Sequence, residues 1–154
     1  MVIELKKNEL LFDMRNKSHS ESSVITDMES RYRSEAGTEK TEELERDLVT
    51  SLSQLSSSIG RYLKMDMTSD ADNGPGLPDF ITLEFVMSER RLDGKVQALT
   101  DAIHAYLVEN TLALFYASVD HKEFQAKHEK ASAASLALVE RLMFTKKPPY
   151  MTRH

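Results

Sequence analysis

The chain contains no cysteine in its 154 residues. Disulfides, thiol nucleophiles and Cys-ligated zinc or iron–sulfur centres are therefore excluded, and stability must come from packing. Long hydrophobic runs are also missing. None reaches the ~18 residues that a membrane-spanning helix requires, and no membrane partner is expected. The first twenty residues do not read as a signal peptide, because Glu4, Glu9 and Asp13 interrupt them and Lys6 and Lys7 lie beyond the first apolar residues. A cytosolic or intracellularly assembled protein is expected. A basic excess is absent too: the net charge is −5, with 16 acids against 10 bases in residues 1–79 and 9 against 10 in residues 80–154. This argues against sequence-independent DNA binding, which needs a basic surface tracking phosphates. The tail KKPPYMTRH, with Lys146, Lys147 and Arg153, is locally basic and reads as solvated. There is no internal repeat, and the length suits one domain with a real core.

Helical periodicity dominates what is present. Residues 2–5 suggest a short strand. Asn8 can cap a first helix over residues 8–36, with Leu11, Met14, Ile25, Met28 and Tyr32 inward and Gly37 ending it. Thr38 or Thr41 caps a second helix to Lys64, carrying the stripe Leu44, Leu48, Leu52, Leu55, Ile59 and Tyr62. The short break between them predicts an antiparallel hairpin over 8–64, in which SHSESS (18–23) and TSLSQLSSS (50–58) lie at one height. Such an uncharged serine band permits close approach by another helix, from this chain or a neighbour, or is a tolerated solvent face. A loop follows at 65–79. Alternation of Ile81, Leu83, Phe85 and Met87 with polar positions then marks a strand over 80–88. Its unmet backbone groups call for pairing with the N-terminal segment or with another chain.

A helical hairpin over 93–145 and an extended basic tail at 146–154 complete the single domain, 1–154. Its first helix carries only Asp101 and Glu109 as charges between Val96 and Val119, so it must be covered on most sides. Leu99, Ile103, Tyr106 and Leu114 are its predicted core residues. Asp120 is the predicted N-cap of the last helix, whose stripe is Phe124, His128, Ala131, Ser135, Leu138 and Leu142. The fold class is mainly α: a bundle of four long helices with a short strand or β-hairpin element between helices 2 and 3.

No chemistry-bearing motif is complete. Di-iron bundles need a Glu on each of two helices and Glu-x-x-His on two others. The nearest matches are Asp101-x-x-His104 and Gln125-x-x-His128, with Glu21 the one glutamate on the inward stripe of the first hairpin. His104 and His128 read better as buried, hydrogen-bonded core histidines. Arg15 and His19 in RNKSH are similar to the acid–base pair of helical RNA-cleaving modules, but their spacing is short for that family and no second polar cluster supports it, so a solvated helix face is the better reading. DADNGPG lacks the glutamate a calcium loop needs at its twelfth position, and Gly74 and Gly76 precede no Gly-Lys-Ser/Thr. No catalytic, cofactor-binding or metal-ligating residue is assigned, and no cofactor is expected.

The order ITLEFVMS, DAIHAYLVENTLALFY, a short break and a helix ending LALVERLMFTKKPPY resembles the head–tail connector proteins of tailed bacteriophages, also called neck, ring-adaptor or head-completion proteins. The likeness covers residues 80–150 and lies in element order and apolar positions. It implies a non-enzymatic structural protein of the virion neck. Copies would form a homo-oligomeric ring contacting portal and tail proteins, with packaged DNA passing through and no sequence-specific binding. The other readings are a helical-bundle adaptor or regulatory protein binding a partner helix, and a metal-dependent or RNA-cleaving bundle.

Overall fold

A helix that is apolar nearly all round must sit at the centre of its fold, and the third helix does. The computed structural model describes residues 1–28, 35, 36, 40–64, 77–87, 92 and 94–144. Their order is β1 (Val2–Lys6), α1 (Lys7–Ser22), α2 (Thr41–Ile59) with a 3₁₀ turn at Gly60–Tyr62, β2 (Phe80–Glu84), α3 (Val96–Ser118) and α4 (Lys122–Phe144). These residues form a mainly helical structure of four helices and a small two-stranded antiparallel sheet. α3 packs against α1, α2 and, most extensively, α4. Leu99, Ile103 and Tyr106 are buried as expected, while Leu114 is only half-buried. It lies one turn from half-buried Asn110 and exposed Ser118, on the side of α3 that leaves the core. Among the described residues, no helix is long and apolar enough to cross a membrane.

The sheet is not a local hairpin between the second and third helices, because its first strand is the N-terminal segment. β1 pairs with β2 in the register Ile3↔Leu83 and Leu5↔Ile81, all four side chains buried. This pairing meets the backbone demand of β2. A bridge between Leu63 and Phe85 extends it on the other side. β1 runs directly into α1, and the Lys7 amide donates to the Asp79 carbonyl at 2.9 Å. Asn8 is therefore inside the helix rather than its cap.

α1 also ends sooner than its spacing predicts. The hydroxyls of Ser22 and Ser23 donate to the carbonyls of His19 and Ser20 at 3.3 and 2.7 Å, so these side chains compete with the helical ladder. Beyond them Val24 and Met28 are exposed, so no apolar burial carries the helix onward. Tyr32, Gly37 and Thr38 lie outside the described residues. Lys7 lies 3.4 Å from Glu45, Arg15 2.5 Å from Thr41, and the Ala36 amide 2.7 Å from the Ser18 hydroxyl. These pairs centre the chain reversal near Asp27 instead of Gly37, and the two serine runs do not meet. α2 starts at Thr41, whose hydroxyl accepts from Arg15, and stops at Ile59 before the 3₁₀ turn.

The runs serve different contacts. Ser51 on α2 shares a hydrogen bond with Thr111 on α3 at 3.0 Å, and Asn110 donates to Ser51 at 2.9 Å and to Gln54 at 2.6 Å. At Ser51 the close approach is thus made by a helix of this same chain, while Ser53, Ser57 and Ser58 are exposed.

The α3–α4 corner revises another expectation. Asp120 has φ 60°, the left-handed conformation in which Asp is one of the few tolerated side chains. The His121 amide donates to the Tyr116 carbonyl at 2.9 Å and the Asp120 amide to Ala117 at 3.3 Å. That pair of bonds is the Schellman closure of α3. Asp120 therefore ends α3, and the His121 ring accepts from the Phe124 amide at 3.3 Å to cap α4. On α4 the buried positions are His128, Ser132, Val139, Leu142 and Met143; Phe124, Ala131, Ser135 and Leu138 flank them.

Candidate functional site

An ionisable group on an inward helix face costs free energy unless paired. Three such groups sit on three different helices here: Glu21 on α1, Glu109 on α3 and His128 on α4. The fold brings them together. His128 is 2% exposed. Its Nε2 lies 2.7 and 2.9 Å from the two carboxylate oxygens of Glu21, and its Nδ1 bonds Glu109. Each carboxylate has a second cation: Lys17 donates to Glu109 at 2.8 Å and Lys127 to Glu21 at 2.6 Å. Tyr116 donates its hydroxyl to Glu21 at 3.1 Å and stacks its ring on the imidazole, with centroids 5.4 Å apart and planes 16° from parallel. The result is an alternating chain, Lys17–Glu109–His128–Glu21–Lys127. Its centre is buried and its ends are at the surface.

This geometry sets the protonation. A neutral imidazole has one N–H, so a carboxylate at each nitrogen calls for the imidazolium. Burial alone would lower the His128 pKa, but the bonds to Glu109 and Glu21 outweigh it and raise the pKa above its ordinary value. Burial likewise pushes the two glutamates up. Bonds from Lys127 and His128 to Glu21, and from His128 and Lys17 to Glu109, overcome it and hold both carboxyls low. Burial raises the Tyr116 hydroxyl, and the Glu21 charge adds to the shift. An open cleft of about 480 Å³ lies over the cluster, with Asn16, Lys17 and Ser20 on one wall and Lys127 and Ala131 on the other.

The remaining polar residues are dispersed. His104 is half-buried and pairs with Asp13 at 2.6 Å. They line a second open cleft of about 450 Å³ with Asn8, Glu9, Phe12 and Asp101. Asp101 accepts from Gln97 at 2.8 Å, and Gln125 donates to Glu129 at 2.8 Å. The two motifs weighed for di-iron binding therefore do not converge. Metal ligation requires an unprotonated imidazole nitrogen, and both nitrogens of His128 face carboxylates. Among the described residues, no group of acidic and histidine side chains is arranged to hold a metal ion. Arg15 and His19 also part company, Arg15 to Thr41 and His19 to Glu35 at 2.6 Å. The DADNGPG loop and the basic tail lie outside the described residues.

His128 is the buried, hydrogen-bonded histidine that its place on an apolar stripe predicts. Its partners are not apparent from local pattern, because Glu21 sits among serines and Glu109 in an apolar helix. The available signal was that all three lie on inward faces, where each needs an opposite charge.

No known protein family, curated protein or solved structure matches this chain.

Proposed function

We propose that the chain is a non-enzymatic assembly protein, the head–tail connector of a tailed phage, whose copies form a ring joining portal to tail. The observation that carries this reading is where its exposed large apolar side chains lie. Val2, Phe80 and Val86, at 54, 51 and 58% exposed, share the outer face of the sheet; Phe12 lies on α1, and Val24 and Met28 just beyond it. On that face Val2 and Val86 stand at one end and Phe80 at the other, with Glu4, Lys6, Thr82 and Glu84 between them. Such a mixture of apolar and polar side chains is the composition of an ordinary interface between proteins. The chain's most elaborate polar cluster supports the same reading, since His128 spends both nitrogens on internal carboxylates and holds three helices together. A ring requires heterologous contacts, one face of a copy against a different face of the next. Ser51 of α2 is used against α3, and the sheet's outer face is the surface offered to a neighbour. The strand, apolar helix and α4 supply the connector-like order.

The test is to image the protein with the portal of its own genome's neighbouring genes, or in virions. A closed ring between portal and tail is expected, and Val86→Asp together with Phe80→Asp should abolish it while leaving the monomer folded. A protein that remains monomeric there and instead captures a single partner helix would replace this reading with that of an adaptor.

A further inference from the structure

The alternating chain of five charges begins and ends with a cation. Lys17, His128 and Lys127 outnumber Glu21 and Glu109 by one positive charge while the imidazole is protonated. Both terminal ammonium groups line the same 480 Å³ cleft. We propose that this cleft is an oxyanion-binding site, taking a phosphate or carboxylate group between Lys17 and Lys127.

Hydrogen-bond accounting supports an anion there. Glu109 gives one oxygen to His128 and the other to Lys17. Glu21 gives its oxygens to His128, Lys127 and Tyr116. Glu21 and Glu109 form the floor of the cleft, but their side chains are only 9 and 12% exposed and each of their oxygens is already bonded to a cation. An ammonium has three N–H donors, and the bond to glutamate uses one on each lysine. Lys17 and Lys127 are half or more exposed at their side chains, 50 and 64%, so their remaining donors reach the cleft. Asn16 and Ser20, one turn apart on α1 and exposed, add an amide and a hydroxyl donor to the same wall. Ala131, one turn beyond Lys127 on α4, leaves that side of the cleft open. An oxyanion bridging the two lysines closes the alternating chain into a ring of alternating charge and cancels the surplus. The groups facing His128 are Glu21 and Lys17 from α1, Glu109 and Tyr116 from α3, and Lys127 from α4. Raising the pH through the His128 titration removes the surplus, and the bound anion with it. The site stands independently of the connector reading.

Inorganic phosphate and acetate are titrated separately into the isotope-labelled full-length chain at pH 6, with sodium chloride at matched ionic strength as control. Saturable amide shifts at Asn16, Ser20 and residues 127–131 are expected, and the tighter of the two ions identifies the oxyanion class. Asn16→Ala and Ser20→Ala, at exposed positions that leave folding intact, should each weaken binding about tenfold, the worth of one hydrogen bond to a charged acceptor. Lys127→Gln should abolish binding, and affinity should fall at least severalfold at alkaline pH. Equal shifts with chloride would mean an adventitious ion only and would overturn the proposal. So would affinities unchanged in Asn16→Ala and Ser20→Ala, or shifts absent with both oxyanions.

Discussion

His128 and Glu21 lie 2.7 Å apart although 107 positions separate them in the chain. The contact joins α4 to α1, two helices whose backbones otherwise approach little. It also makes the stability of the fold depend on pH from two directions.

His128 holds its proton more tightly folded than unfolded. Its contribution is complete below the ordinary imidazole pKa, near 6.5, and is lost as pH rises through the higher folded value. Glu21 and Glu109 act oppositely: their contribution is complete above about 4.5 and is lost as pH falls through their lower folded values. Urea denaturation between pH 3 and 9 should therefore show this cluster stabilising fully between about pH 4.5 and 6.5. His128→Gln should lose about 3–5 kcal/mol at pH 6, because it leaves two buried carboxylates short of a cation. A cost that does not shrink toward pH 9 would contradict the charged role.

Asp47 works in the same alkaline direction and is separable. Burial, with the nearby Glu43 charge, pushes its carboxyl up to about 6. A raised acid contributes fully below its ordinary range and opposes folding once pH exceeds its folded value. Asp47→Asn should stabilise the protein by about 1–2 kcal/mol at pH 8, after discount for solvent screening. It should be neutral at pH 4. A gain of equal size at both pH values would mean that the charge is not the cause.

Ile103 is fully buried in α3. Replacing it with Ala should cost about 2–5 kcal/mol, combining lost apolar transfer with the cavity left behind. A measured loss below about 1 kcal/mol would show that this helix is not central.

Asp120, at φ 60°, distinguishes a C-terminal closure from an N-cap. Asp120→Gly should leave stability unchanged or raise it by up to about 1 kcal/mol, since glycine takes the left-handed conformation freely. Asp120→Val should cost about 1–2 kcal/mol through the Cβ clash. If Asp120 were the N-cap of α4, glycine would weaken the helix slightly instead, so the sign of the change in melting temperature decides.

Several features of this protein follow from local residue order alone. The helical stripe Leu44–Leu48–Leu52–Leu55–Ile59 and the apolar girth of 96–119 dictate helices, because burial must follow the 3.6-residue period. The alternation of Ile81, Leu83 and Phe85 dictates a strand by the two-residue period. The absence of cysteine removes covalent staples whatever the fold. Tertiary structure decided what lies beyond those periods. Residue order left β2 two possible partners, the N-terminal segment or another chain, and only three-dimensional packing chose β1, since backbone hydrogen bonding leaves no mark on side-chain pattern. Only packing could end α1 at Ser22 and move the chain reversal toward Asp27, because serine hydroxyls are neutral until their surroundings favour local bonds over the helix ladder. The same holds for Asp120, whose residue type suits either end of a helix and whose φ chooses between them. Glu21, Glu109 and His128 show the limit most clearly. Each is an isolated charge on an inward face, and the sequence signals that each needs a partner; which partner it finds is set by the crossing of α1, α3 and α4.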